Sequence, residues 1–519
     1  MRTDRTTSPG DQIEEWADIV VVGGGGAGLA AASEAAAAGA RVVLLEKNGA
    51  LGGSTAWSVG SISATRTTHQ RARGIEDSPE AHFEDLELLA GRHANRDNRE
   101  LRRILVDETP TTFEWLESLG LVFVGPNVEP PHRVPRMHNV LPNSRAFPHA
   151  LGRHCRRLGV EIRCDARAQH LIERGGRIIG VAYRRAGVPA TIGARRGVVL
   201  AAGDYSAGTE MKERFAAPEV AALEPVNPTA TGDGFGLALS HGAELVNGDI
   251  VRGPVMRFVP PPGGGLIRRL PPSRALGTVM RWGFERLPER VVRPFAMAFL
   301  TTALGPATEL FREGAILVDR DGRRFTDELD RPGYAVPHRP GGLAYIVMDG
   351  AVAAKFSAWP YYVSTAPGVA YAYLDDYRRN RRDIFHEAAD PAALARSMGV
   401  DPETFTATLQ AYNAEARARG AGGSRPPLEQ PSFVALGPVR SYVVFTDGGL
   451  RVDTSLRVLA GGAPIPGLYA AGSNGQGGLL LEGHGHHLAW AFVSGRIAGR
   501  NAAANDPLAT DAQGVAGHG

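Results

Sequence analysis

At 519 residues and 43% hydrophobic, the chain is long enough for two or three domains and can bury a large core. Its 57 basic and 55 acidic residues leave a net charge of +2, which excludes a whole-protein field for nucleic acid or anionic membrane and points to small-molecule partners. Two cysteines, Cys155 and Cys164, exclude a disulfide framework and any CxxC, CxxCH or zinc-ligand spacing, so a reduced, cytoplasmic setting is expected.

In chain order, residues 1–16 carry Arg2 and Arg5 but no apolar run behind them, so a loose tail is expected and no export signal. From Asp18 come a buried strand (DIVVVG), a glycine turn, an alanine-rich helix (AGLAAASEAAAAG) and a second strand (RVVLLE), which make a βαβ unit. The segment Arg136 to Leu151 reads as a polar, histidine-bearing surface loop, with the edge of a substrate pocket as the alternative. VEIRCDARAQHLIERGGRIIGVAYRR alternates around a GG turn as a hairpin does, and GVVLAAG is another buried parallel strand. From about residue 250 the texture changes. PPPGGG leads into a basic amphipathic stretch at 266–296, whose Trp282 and Phe284 suit either a helix packed on the first domain or peripheral membrane contact. RRNRR, Arg378 to Arg382, follows acidic Asp375 and Asp376 and reads as a solvated helix face, not a nucleic-acid site. The longest uncharged apolar stretch, Phe295 to Thr308, is too short to span a bilayer, so no transmembrane helix is expected. Parallel-strand character returns at PIPGLYAAGS, followed by a helix from about His487. The predicted fold is therefore α/β: a discontinuous Rossmann-like domain over 17–247 and 438–503, an inserted α+β cap over 248–437, and a second loose tail over 504–519.

Gly23, Gly25 and Gly28 form GxGxxG between strand and helix, and Glu46 ends the next strand. The first glycine makes the turn, the second lets backbone approach a pyrophosphate, the third packs helix on strand, and the helix N-terminus faces the anion. Glu46 is placed to accept from an adenosine ribose hydroxyl. This is a dinucleotide site.

After Glu46 the string KNGALGGSTAWSVGSISA resembles the flavoproteins that include fumarate reductase, the succinate dehydrogenase flavoprotein subunit and the 3-ketosteroid dehydrogenases. The resemblance extends to VVLAAGDYSAGTEM, TGDGFGLALSHGAELVN, GAILVDRDGRRFTDE, VDPETFTATLQAYNAEA, and GLYAAGS with GRIAG. It implies FAD, bound non-covalently because GGSTAWSVG has no histidine for a flavin link. Gly26, Ala27 and Lys47 would then join the GxGxxG turn, while Gly52, Gly53, Ser54, Thr55, Ser58, Gly60 and Ser61 would run beneath pyrophosphate, ribityl chain and flavin. Ala168, Ala202, Gly203, Asp233, Gly472, Ser473 and the backbones of His487 and Leu488 would complete the set.

The same resemblance implies hydride transfer between flavin N5 and a substrate carbon, with an acid or base handling the proton on the neighbouring carbon. Registered on GRIAG, the fumarate reductases' substrate-binding arginine falls at Glu482, a charge reversal, and their histidine before the TxGG turn falls at Phe445. Their proton-donor arginine falls near Pro332, with Arg331 one residue away. Against the ketosteroid dehydrogenases, Gly485 matches a backbone donor to the substrate ketone, Leu481 replaces its tyrosine partner, His484 is the nearest substitute, and Tyr334 is the candidate proton-abstracting tyrosine. Dehydrogenation of a CH–CH unit beside a carbonyl, on a lipophilic substrate and with an external electron acceptor or donor, is the favoured expectation. The alternatives are a C=C reductase of an unsaturated acid and an electron carrier without an organic substrate. Glu482, His484, His486 and His487 alternate with glycine on no fixed helical face, so no metal site is expected there.

Overall fold

In the computed structural model of the chain, residues 13–261, 269–366, 370–419 and 425–508 are described. The outer parts of both expected tails and most of PPPGGG lie outside these residues.

The order of the larger sheet follows from its sequence pattern. Uncharged, β-branched runs with no polar alternation must be covered on both faces, and such strands pair in parallel. Val20 in the first strand, Glu15–Val22, pairs with Val43 on one side and Val198 on the other, both in parallel. The sheet runs 457–460, 463–470, 188–200, 15–22, 42–45, 161–163, and the hairpin 166–174/177–185 joins it through 188–200. Gly175 and Gly176, both at positive φ, make the expected hairpin turn. Gly26–Ala37 is the expected helix. It packs on the C-terminal helix, His486–Ala504, where a Cβ on Gly495 would stand 2.3 Å from Ala27 O and one on Gly499 2.2 Å from Ala31 O.

Both expected tails are shorter than the sequence suggested. The first strand starts at Glu15 because Trp16 packs face-on against Gly193 and under Arg195. At the other end Asn505 and Leu508 bond the backbone of Arg196 and Arg195.

A second core gathers around the long strand Phe433–Val443, which pairs with 344–348, 255–258, 385–388 and, in parallel, Glu224–Pro225. Helices Arg274–Arg286 and Glu289–Ala303 cover the amphipathic stretch. Gly277 docks against Leu141 while Trp282 stays 54% exposed, so only one side of this helix meets the first core. Arg378, Arg379 and Arg382 are exposed, as the solvated reading of RRNRR has it, and Arg381 is the exception: it is buried on Asp383, Thr302 and the Val259 carbonyl. Among the described residues no helix is long and apolar enough to cross a membrane.

Candidate active site

The dinucleotide turn closes on a cleft of about 780 Å³, the open solvent at its mouth included, at the C-terminal ends of the parallel strands. Gly23 sits at φ +111°, and a Cβ there would stand 2.3 Å from Ala201 O; one on Gly28 would stand 1.9 Å from Gly23 O. Gly25 is different. Its Cβ would meet nothing nearer than Gly52 O at 3.8 Å, so its open face is where a pyrophosphate can approach the backbone. Glu46 accepts from Gly24 N at 2.7 Å and from both Asn48 nitrogens, so it sets the turn as well as facing the cavity. Thr55 Oγ1 accepts from Gly26 N at 3.0 Å. Asp233 takes Lys47 at 3.1 Å and Arg167 at 3.0 Å; burial alone would raise its pKa, but these cations and Thr231 outweigh burial and hold it below the usual carboxylate range. A buried glycine cradle, an open helix N-terminus and a carboxylate at the second strand end fit FAD.

Of the expected cofactor residues, Gly23, Gly25, Gly26, Ala27, Glu46, Lys47, Gly53, Ser54, Thr55, Ala168, Ala202, Gly203, Asp233, Gly472 and Ser473 line this cavity. Gly28 and Gly52 do not, because one packs helix on strand and the other bonds Gly24 O through its N–H. Ser58 turns back to Thr55 O and Gly60 N, and Ser61 Oγ accepts from Asn139. Leu488 is buried in the core, and His487 points to Asp447 at 3.2 Å while its ring stacks 3.9 Å from Phe445. Sequence reasoning missed Asn227 and Thr229, which also line the cavity; Asn227 donates to Ser54 Oγ at 2.8 Å. The signal was present just ahead of TGDGFG, in NPTA.

The four ionisable residues of the 482–487 loop go to four separate partners. Glu482 pairs with Arg252 at 2.5 Å, so the charge reversal read from the sequence is neutralised by an arginine that no motif announced. His484 Nδ1 lies 2.5 Å from Glu129 Oε1, which also accepts the His484 backbone N–H at 2.7 Å. Glu129 is buried and the His484 side chain is 42% exposed. Burial pushes the Glu129 pKa up, but His484 and the nearby His486 outweigh it and hold it low. His486 is buried, with Nε2 3.1 Å from His82 Nε2. The loop is seated on the strand Ser61–Ser63: Ser63 Oγ donates to His484 O at 2.7 Å, and a Cβ on Gly485, which is at φ +93°, would stand 2.5 Å from Ser63 N.

Arg136 to Leu151 corrects the expected surface loop. It forms a strand, Met137–Leu141, and a helix beginning at Ala146, with Arg136 and His138 buried. Arg136 is held by both Asp77 oxygens and by Asp85.

Arg331 and Tyr334 come together with each other. The guanidinium lies 5.0 Å from the Tyr334 ring centre, Arg331 is exposed in a left-handed conformation, and Tyr334 packs against the small apolar cluster of Val220, Leu223 and Val443. Among the described residues no hydrogen bond or ion pair joins either to the 482–487 loop.

A profile of the FAD binding domain matches residues 18–267 and 292–479. The NADH:fumarate oxidoreductase of Klebsiella pneumoniae (strain 342) is 27% identical over 480 residues, covering 89% of this chain and 45% of that enzyme, so this chain spans less than half of that relative. The open conformation of a flavocytochrome c3 fumarate reductase superposes with a TM-score of 0.70 at 26% identity, over 95% of this chain and 79% of the other. The 3-ketosteroid-Δ4-(5α)-dehydrogenase from Rhodococcus jostii RHA1, in complex with 4-androstene-3,17-dione, gives 0.59 at 25% identity, over 95% and 98%.

Proposed function

The chain belongs to the FAD binding domain family, and from that premise we propose that it is an FAD-dependent oxidoreductase that removes hydrogen across a CH–CH unit beside a carbonyl. Bound FAD supplies the acceptor for hydride at N5. The observation that carries the reading is the His484–Glu129 pair. A buried carboxylate that accepts from Nδ1 fixes the tautomer, leaving Nε2 of a part-exposed imidazole as the proton acceptor on a neighbouring substrate carbon. Gly485, one residue on, offers its backbone N–H to the carbonyl oxygen, the donor that is kept where the hydroxyl donor of the ketosteroid dehydrogenases is lost at Leu481. An uncharged, lipophilic substrate agrees with a loop whose own charge is cancelled by Arg252.

One observation favours a second reading. Because Arg252 neutralises Glu482, a carboxylate is not repelled from this loop, and reduction of an unsaturated acid is consistent with what the Klebsiella relative's name describes. Mixing anaerobic enzyme with saturated cyclic ketones, and photoreduced enzyme with enones and enoates, separates the two through flavin absorbance. Bleaching by a saturated ketone supports dehydrogenation. Reoxidation by enoates with no bleaching by any ketone would overturn it in favour of the reductase.

A further inference from the structure

Behind the 482–487 loop, three imidazoles from distant parts of the chain meet in the interior. His82 comes from the helix Pro79–Ala90, His132 from the turn ahead of the strand Met137–Leu141, and His486 opens the C-terminal helix. Their ring centres form a nearly equilateral triangle of 5.3, 5.3 and 5.4 Å. One nitrogen of each lies within 4.8 Å of the others, and all three residues are buried. We propose that His82, His132 and His486 form a trihistidine site for a divalent transition-metal ion of the zinc type, which clamps the start of the C-terminal helix and its preceding loop to the scaffold.

A polar core of ordinary kind satisfies its buried nitrogens. This one does not: His82 Nδ1 and His132 Nε2 are both buried without a hydrogen-bond partner. Tetrahedral zinc–imidazole geometry, with bonds of about 2.0–2.1 Å, spaces ligand nitrogens about 3.3 Å apart. His82 Nε2 and His486 Nε2 are already 3.1 Å apart. His486 Nδ1 donates to the Glu482 carbonyl at 2.7 Å, and a carbonyl can only accept, so Nε2 presents its lone pair. His82 and His132 each require one change: His82 Nε2, the donor to His486 Nε2 before ligation, passes its hydrogen to the buried Nδ1 when the ion binds. For His132 the exchange involves Arg136. Arg136 donates to its Nδ1 at 2.9 Å, so the hydrogen sits on the unpartnered Nε2; on ligation it moves to Nδ1, which gives up the bond from Arg136 and has to close on Asp85 Oδ2, 3.7 Å away in this structure. Arg136 keeps its bonds to Asp77 and Asp85 through that exchange. Among the described residues no carboxylate oxygen joins the three nitrogens within 4.8 Å of one another, so the fourth position falls to water. Imidazole donors suit zinc, copper, iron and nickel. With no thiolate in the set and none of the three histidines lining the nucleotide cavity, the ion has a structural task.

The inference is independent of the redox reading, since metal content needs no substrate. Tag-free holoenzyme, dialysed against Zn²⁺ and then against buffer, is analysed for zinc and FAD together. The expected result is about one zinc per FAD, with X-ray absorption at the zinc edge giving imidazole nitrogens at about 2.0–2.1 Å. In His132→Phe and, as a milder change, His132→Asn, zinc falls below ~0.1 per chain while FAD content stays as in the parent, which shows that the variants fold. Parent enzyme holding less than ~0.1 zinc per FAD after this treatment overturns the proposal. So do variants that retain full zinc. If neither variant yields holoenzyme, the parent's zinc content and absorption spectrum decide alone.

Discussion

The nucleotide cradle and the 482–487 loop are both rich in glycine, yet glycine serves different ends in them. In the cradle the glycines are the site: Gly23 and Gly28 leave no room for a Cβ, and Gly25 keeps a face open. Backbone supplies the chemistry, and the contacts of Gly28 with Gly23 and of Gly24 with Glu46 are made within one short βαβ stretch. In the loop the glycines also let the chain turn under side chains whose partners are far away in sequence. Glu482 finds Arg252, His484 finds Glu129, and His486 finds His82. A motif made of backbone can be read from its spacing, whereas a site made of long-range pairs shows only one member of each.

The hardest test of that contrast is Gly28→Val. Its Cβ would stand 1.9 Å from Gly23 O, a backbone atom that cannot move without opening the first strand. Overpacking of a core costs about 1–3 kcal/mol, and more where backbone must shift. The variant is expected to yield no FAD-containing protein, measured as the ratio of flavin to protein absorbance after gel filtration. Normal flavin content would show that the helix–strand approach is not needed for the cradle.

The same contrast explains what the sequence made legible. DIVVVG, AGLAAASEAAAAG and RVVLLE carry their structure in local periodicity, and the strand, helix and strand follow at Glu15–Val22, Gly26–Ala37 and Val42–Leu45. RMHNVLPNSRAFPHAL misled because buried Arg136 and His138 break the apolar pattern of a strand, and the carboxylates and hydroxyl that satisfy them, Asp77, Asp85 and Thr67, belong to earlier segments. The four ionisable residues of the loop lie side by side in the sequence. Each in fact serves a different neighbour, and the convergent histidines include only His486 of the four.

Glu129→Gln tests the long-range side. The amide keeps the shape but loses the charge that orients and supports the His484 ring, and general acid–base contributions are about 100-fold or more. Turnover is expected to fall about 100-fold with FAD content unchanged. Since Glu129 is also beside the histidine cluster, His484→Gln is the companion variant; equal losses in both would tie the effect to the dyad. Unchanged turnover in the pair would remove His484 from the chemistry.

His138 offers a smaller effect with a defined sign. Burial first, and the neighbouring His69 second, lower its pKa from 6.5 to about 3 in the fold. Between those values the unfolded chain binds a proton that the folded chain refuses, so stability is full above about pH 6.5 and is lost as the pH falls below it. The loss is roughly 1.4 kcal/mol per pH unit from this one residue. Melting curves from pH 7.5 to 5.5 should therefore decline more steeply for the parent than for His138→Asn, which has no group to titrate. Parallel declines would mean that His138 is protonated in the fold.

The smallest stability effect is expected at Arg252, and its value lies in what it says about substrate. The guanidinium is half exposed and its pair with Glu482 is of a kind worth about 0–1 kcal/mol, so Arg252→Gln should leave the melting temperature nearly unchanged. Binding is another matter. Removing the cation leaves Glu482 as an uncompensated negative charge beside Gly485, where the proposed carbonyl contact lies. A neutral ketone feels that charge weakly and should keep its KM within about twofold, whereas a carboxylate substrate loses its screen and should show a KM about tenfold higher, with the difference shrinking as salt is added. The ketone result supports dehydrogenation of an uncharged substrate. A salt-sensitive rise with an enoate makes Arg252 the residue that replaces, from the far side of the site, the arginine lost at position 482.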